Sequence, residues 1–532
     1  LSLSYPDVTI DVSSGEPRHY DKDPSAIECS SLIGGEGDPT AKEVARDIER
    51  QSFVASMNVV RSITNLAHFV PVYGNDLISA PRSGDRFMSA EDLWAMEASH
   101  TILGWQRQDI RSQLIVERVD GSFLWDVEGK RYCDFGAGQI NVNVGYNHPH
   151  VLAAMRNQME RVVYVAPNLA TDVRIRLASM IAARTPGDLQ YVFFTNSGSE
   201  AMENAIKIAR AATGRLKIYS AWQSYHGATA GASAISGDPR RMHLGPTMPG
   251  VEKFHYPTCY RCPFNQSGPP SCNFACLHSL ENQILFDGPE TVAAIVLEPI
   301  AGTSGLYIPP PQFVEGIRRL CDEHGILLIF DETMSGWGRT GRWFGCDHYQ
   351  IAPDILVTAK GVTSGYVPLG VVALTAAIRD HFLTKPFVGG LTNEGHALAC
   401  AAGIANIEVY EDEQLVARSA SLGEHLNQRL LALREQHISV GDVRCKGLFA
   451  CLELTSDRTR RRPLAGYRDR YTNVASELSR RLREMGLIVI AKWDFIFIAP
   501  PLVITKDEID EGIDKIDLVL DYTDRLVADR AN

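Results

Sequence analysis

Two residues with chemistry to offer each close a short apolar run. Lys360 follows Ile355-Leu356-Val357-Thr358-Ala359, and Asp331 follows Ile326-Leu327-Leu328-Ile329-Phe330, 29 positions earlier. Unbroken apolar runs of this length read as strands buried on both faces of a parallel sheet. In open α/β sheets, ligands gather beyond the carboxyl ends of the strands. A lysine delivered to that edge is an amine able to condense with a carbonyl. A carboxylate beside it can keep a heterocyclic nitrogen protonated. Taken singly, either residue is an ordinary strand terminus, so the weight rests on what else ends there.

Two further strands do. Val292-Ala293-Ala294-Ile295-Val296-Leu297 stops at Glu298-Pro299. Tyr191-Val192-Phe193-Phe194 runs into Thr195-Asn196-Ser197-Gly198-Ser199-Glu200 and then into a stretch of helical composition. Ser197 and Glu200 have the spacing of a capping box. A small, glycine-containing turn that opens a helix presents free N–H groups and a positive dipole end, which is a seat for phosphate. Amine, carboxylate and phosphate seat at one edge together make the equipment for pyridoxal 5'-phosphate chemistry.

Six ordered segments strengthen this. They are Phe194-Thr195-Asn196-Ser197-Gly198-Ser199-Glu200-Ala201, Ser224-Tyr225-His226-Gly227-Ala228, Leu297-Glu298-Pro299-Ile300, Asp331-Glu332-Thr333 with Gly338-Arg339-Thr340-Gly341, Ala359-Lys360-Gly361, and Thr392-Asn393-Glu394-Gly395-His396. In order and spacing they resemble the class III, fold-type I, pyridoxal-phosphate-dependent aminotransferases, over about four fifths of the chain. The resemblance implies an α/β fold: a large domain with a mainly parallel sheet, and a small α+β domain drawn from both chain ends. It implies that Lys360 binds the cofactor and shuttles the proton, and that Asp331 pairs with the pyridinium nitrogen. Gly198 and Ser199 would hold the phosphate. Tyr225 would stack on one ring face and Thr333 would pack on the other, where the family usually has Val. His226 and Glu298 join the cofactor set. Thr392 would reach the phosphate bound by a second copy, so the active unit is expected to be a homodimer. The partners implied are an amine donor and a keto-acid acceptor.

The resemblance also bears on substrate choice. In relatives that use ω-amines and 2-oxoglutarate, a Glu–Arg ion pair acts as a gate; here those positions are Glu298 and Arg444. Unpaired, such an Arg can bind an α-carboxylate bidentately. Many ω-transaminases carry Trp where Ile140 stands. The mobile carboxylate-binding Arg of the amine:pyruvate group falls at Ile490. Lys492, two residues on, shares a strand face with it, and the segment around it looks most like the taurine:2-oxoglutarate-type group. The expected activity is therefore transfer of an amino group from an ω-amino or primary-amine donor to 2-oxoglutarate or pyruvate. Class III lyases that act on phosphorylated or phosphonate amino alcohols are the alternative on this scaffold. A non-catalytic cofactor-binding scaffold is the second.

Composition sets the remaining bounds. At 532 residues with net charge -12, the chain exceeds one average domain and carries no basic face for nucleic acid. No apolar run is long enough to span a membrane, and residues 1–20 do not read as a signal peptide. The expected compartment is the cytoplasm. The expected division is an N-terminal, partly helical extension over 1–95, small-domain segments over 96–155 and 403–532, and the large domain over 156–402. Within the extension, Val44, Ile48, Phe53, Val54, Met57, Val60, Ile63 and Leu66 fall in a mostly helical stripe. Among eleven cysteines, Cys259, Cys262, Cys272 and Cys276 have a spacing open to a structural zinc site. The reading adopted is a surface excursion with free thiols and no metal.

Overall fold

The computed structural model describes residues 89–105, 107–109, 114–245, 247–465 and 473–531. The stripe from Val44 to Leu66 lies outside them. No described helix is long and apolar enough to cross a membrane.

Strands β1 (Val116–Asp120), β2 (Phe123–Asp126) and β3 (Arg131–Asp134) form an antiparallel meander. Gly121 and Gly129, at φ +53° and +82°, turn its two corners. The chain then builds a seven-stranded sheet from β4 (Leu189–Thr195), β5 (Lys217–Ala221), β6 (Val251–Phe254), β7 (Val292–Leu297), β8 (Leu327–Asp331), β9 (Ile355–Thr358) and β10 (Gly370–Thr375). Its order is β4-β10-β9-β8-β7-β5-β6. The neighbours from β9 to β6 are parallel, whereas β10 runs against both β9 and β4. Hence β4 points the same way as β7, β8 and β9, and all four deliver their carboxyl ends to one edge.

Alternation along the strands explains why the runs are apolar throughout. Leu328 and Phe330 face one core, while Ile329 faces another built on Ala201, Met202 and Ile206 of helix Gly198–Thr213. With both faces covered, a polar residue survives only at a strand end.

The remaining strands are β11 (Val440–Cys445), β12 (Ala450–Asp457), β13 (Arg462–Pro463), β14 (Leu487–Ile488), β15 (Ile490–Lys492) and β16 (Phe495–Ile498). The order β11-β12-β16-β15 is antiparallel. β14 pairs in parallel with β3, so segments that precede and follow the seven-stranded sheet in the chain share a sheet. Arg339, fully buried, fastens these parts to the loop after β8. It donates to Asn143 Oδ1 (2.6 Å), to the Leu448 carbonyl (3.0 Å) and to the Pro500 carbonyl. Burial lowers its pKa to about 10.

Cys259, Cys262, Cys272 and Cys276 line one small cavity as free thiols. Their sulfurs do not gather within the mutual spacing that one metal ion needs.

Candidate active site

Asp331 closes β8 and is buried. Its Oδ2 lies 2.8 Å from His226 Nδ1, and its Oδ1 accepts the Thr333 N–H at 3.0 Å. His226 is pinned in turn, its backbone N–H donating to Ser236 Oγ at 2.8 Å. One partner per oxygen fixes the carboxylate in place and leaves it further lone pairs for a cationic N–H.

Lys360 opens a one-turn 3-10 helix after β9 at φ +42°, a left-handed conformation uncommon for a residue with a Cβ. Such strain clusters at functional positions. The side chain lies deep in the protein yet keeps accessible surface, as the floor of a cleft does. Burial lowers its pKa to about 8, against the pull of Asp331 and Glu298 and with help from Arg339 and Arg240. Part of the population is then unprotonated near neutrality, which an amine nucleophile requires.

The turn expected to seat a phosphate has the capped geometry its sequence implies. Ser197 caps the helix Gly198–Thr213, its Oγ accepting from Glu200 N at 3.2 Å. Glu200 Oε2 accepts the Asn196 N–H at 2.8 Å. The first intrahelical bond runs from Ala201 N to Ser197 O, so the Gly198 and Ser199 N–H groups precede it at the positive end. A Cβ on Gly198 would come within 3.2 Å of Thr333 Cγ2 and Oγ1. Ser199 Oγ accepts the Ala228 N–H at 3.1 Å. Gly227, at φ +141°, makes that approach possible, because a Cβ there would lie 2.4 Å from Ser199 Oγ. Thr333 Oγ1 is buried with no hydrogen-bond partner. Outward N–H groups, an orphaned hydroxyl, a fixed carboxylate and a near-neutral lysine suit a phosphorylated pyridine aldehyde.

The expected substrate residues are arranged differently from the gate. Glu298 is buried beyond β7, Oε1 accepting the Tyr225 N–H at 2.9 Å and Oε2 the Gly302 N–H at 2.7 Å. Arg444 does not pair with it. Arg444 Nη1 lies 2.5 Å from both Asp442 Oδ2 and Glu453 Oε2, and Nε donates to the Gly305 carbonyl at 2.7 Å. The cause is strand register: Asp442 and Arg444 alternate onto one face of β11, and Glu453 stands opposite Asp442 on β12. Burial works against the Arg444 charge, but Glu453 and Asp442 hold its pKa above the usual value.

Ile140 is buried in an apolar cluster with Met334, Phe449, Trp493 and Phe495. The indole missing at position 140 is thus supplied to the same wall by Trp493. Ile490 packs toward Gly136. Lys492 bonds Asp238 Oδ2 at 2.7 Å, and the same carboxylate holds Arg240, whose guanidinium lies 4.0 Å from the Tyr225 ring centroid. Neither Asp238 nor Arg240 stood out in the sequence. Thr392 is exposed, its carbonyl accepting from Tyr164 OH at 2.8 Å.

Burial raises the Glu298 pKa to about 7, outweighing His226 and the two N–H donors. The folded value lies above the unfolded 4.5, so the folded chain keeps this proton longer. The contribution to stability is full below about pH 4.5 and is lost as pH rises through about 7. In the cofactor-free protein, thermal midpoints measured across this range should fall more steeply for wild type than for Glu298→Gln. The difference should approach roughly 3 kcal/mol; parallel curves would refute it.

The aminotransferase class-III family model matches residues 105–520. A leucine/methionine racemase of Thermococcus litoralis is 35% identical over 426 residues, covering 79% of this chain and 93% of its own. A taurine–pyruvate aminotransferase of Bilophila wadsworthia is 34% identical over 430 residues, covering 75% and 91%. Among solved structures, the taurine:2-oxoglutarate aminotransferase of Bifidobacterium kashiwanohense, in complex with PLP and glutamate, superposes with a TM-score of 0.80. It is 36% identical and covers 83% of this chain and 99% of that one.

Proposed function

The chain belongs to the class III aminotransferases, enzymes that use pyridoxal phosphate, and we propose that its donor is an ω-amino or primary amine and its acceptor 2-oxoglutarate or pyruvate. The observation that carries this reading is the engagement of Arg444 by Glu453 and Asp442. The guanidinium that would hold an α-carboxylate is neutralised, and the wall around Ile140 and Met334 is apolar. A donor whose amine-bearing carbon lacks a carboxylate meets no unpaired charge there.

The cofactor, when bound, supplies a ring that withdraws electrons from the donor and acidifies the C–H beside its nitrogen. Lys360 Nζ takes that proton and returns it. Its depressed pKa suits a base working near neutrality. Asp331, oriented by His226, keeps a positive ring nitrogen stabilised. The Gly198 and Ser199 N–H groups hold the phosphate against the helix dipole. The active unit is a homodimer in which Thr392 of one copy reaches the phosphate held by the other. Its side chain makes no intrachain hydrogen bond among the described residues, which leaves it available.

The test is a half-reaction. The yellow protein is mixed with taurine, β-alanine, 4-aminobutyrate or L-glutamate and no keto acid. Absorbance should move from near roughly 415 nm to near roughly 330 nm, as expected when the bound cofactor is aminated, and return on adding a keto acid. Product release with the long-wavelength band retained would indicate a lyase. With L-glutamate, the chiral member of the panel, loss of optical activity without the shift would indicate racemisation, the activity named for one relative.

A further inference from the structure

An outer strand of the seven-stranded sheet carries a lysine that no carboxylate answers. Lys253 stands opposite Ser220 in the parallel pairing of β6 with β5, and its Nζ donates to Ser220 Oγ at 2.8 Å. The register puts both on one sheet face, where Ile218 and Val251 pack with Ala232 and Ile235 of the helix Ala230–Ile235. Trp222 extends the same ladder, its N–H donating to the Phe254 carbonyl at 2.8 Å. Arg241, on the short 3-10 helix Pro239–Leu244, sets its guanidinium over the Trp222 ring, 5.0 Å from the centroid. The two cations thus meet above one corner of the sheet, and the charge of Arg241 is felt at Lys253.

Neither cation has an anionic partner among the described residues, and the Arg241 Nε–H is buried with no acceptor. Carboxylates on adjoining elements are engaged elsewhere. Glu252 alternates onto the other face of β6, beside Tyr219. Glu203 Oε1 accepts the Gly231 and Ala232 N–H groups at 2.7 and 3.1 Å, and Asp238 holds Arg240 and Lys492. His255, two residues beyond Lys253, packs edge-on to Phe264, and burial lowers its pKa. Burial, with Arg241 adding to it, lowers the Lys253 pKa to about 6. Near neutrality that amine is mostly uncharged, while Arg241 keeps its charge. A desolvated guanidinium N–H and an ammonium held short of its proton are both stabilised by an anion between them. Each side chain stays partly exposed, so a small ion reaches both.

We propose that Arg241 and Lys253 bind a small tetrahedral oxyanion of the sulfate or phosphate type, as the free ion or as the end of a monoester, at a site separate from the cofactor pocket. The separation is set by strand order, since β5 and β7 stand between β6 and the strand that ends in Asp331. Arg241 supplies planar N–H donors and Lys253 an ammonium. Lys253 Nζ takes a proton from solvent as the anion arrives, because a nearby negative charge favours the charged amine. The occupant fastens the helix Pro239–Leu244 to β6. Arg240, the neighbour of Arg241 on that helix, lies over the Tyr225 ring, so occupancy is passed to the cofactor pocket as a steadier ring. The site depends neither on the identity of the amine donor nor on amino transfer itself.

The experiment titrates sulfate into the holoenzyme by calorimetry, at constant ionic strength set with chloride. Sulfate keeps its charge across the pH range, and the bound cofactor keeps the phosphate seat filled. Wild type should bind sulfate more weakly as pH rises from about 6 to about 8, as Lys253 loses its proton. Heats in two buffers of different ionisation enthalpy should show proton uptake on binding at about pH 7.5. That measurement needs no variant. Arg241→Gln and Lys253→Met should each weaken binding about tenfold or more, the size of a lost charge-assisted hydrogen bond. Arg241→Lys should recover part of the loss, and Lys253→Met should abolish the proton uptake. Methyl phosphate that competes with sulfate assigns the site to the end of a monoester, and sulfate binding alone assigns it to the free ion. The proposal is overturned if wild type binds no sulfate, if binding takes up no proton, or if either of the first two variants loses less than about tenfold.

Discussion

Lys360→Ala should leave a folded protein without the absorbance band near roughly 415 nm and without measurable amino transfer. The Lys360 side chain makes no hydrogen bond to a described residue, so truncating it strands no partner. Its desolvated charge is a liability in the cofactor-free chain, as the pKa of about 8 records. The thermal midpoint of the cofactor-free variant should therefore hold or rise slightly. Activity should fall far more, because the same nitrogen supplies the nucleophile and the base. Removing a positioned base alone removes about 10²–10⁴-fold, and loss of the nucleophile adds to it. Single-turnover absorbance with the best donor reads the first effect, and calorimetric melting reads the second. Amino transfer within tenfold of wild type would sink the assignment. Unfolding would show instead that Lys360 serves packing.

Asp331→Asn is expected to lower kcat by about 10²–10³ while the protein stays yellow, the effect of removing one preorganised group aimed at developing charge. Asn retains an acceptor for the Thr333 N–H. Its amide then faces His226 Nδ1, which must turn from donor to acceptor, and the imidazole proton moves to Nε2. The shape survives, but the negative charge that holds a ring nitrogen positive is gone. Lys360 and the phosphate seat are untouched, so cofactor binding persists. A kcat within about tenfold of wild type would remove Asp331 from the chemistry and leave it a structural role, since one ordinary hydrogen bond accounts for about that much.

These two residues were legible because their setting is local. Continuous apolar runs such as Val292–Leu297 announce strands covered on both faces, and a polar residue ending each run marks the ligand edge. The Ser197–Glu200 turn was legible for the same reason, since a cap is settled within four residues. The substrate side was not. Arg444 was expected on Glu298, yet its partners are Asp442, two positions before it, and Glu453 across the sheet. The pairing of β11 with β12 decides this, and only the Asp442-x-Arg444 alternation hinted at it. Asp238 and Lys492 meet across 254 residues, so nothing near either one reveals the other. Trp493, in the turn between β15 and β16, reaches the wall of Ile140 from a distant part of the chain, which composition around position 140 cannot disclose.

Arg339 has a bearing on how the molecule comes apart. Its acceptors belong to Asn143, Leu448 and Pro500, three stretches far apart in the chain, and the Lys360 turn lies close enough to feel its charge. Peeling the C-terminal strands away would strand a desolvated guanidinium against vacated carbonyl positions, at a cost of several kcal/mol. Partial opening is therefore disfavoured relative to global unfolding, and the three sheets are expected to melt as one cooperative unit. The lysine that must be free to move during turnover stands on the part of the protein least free to loosen.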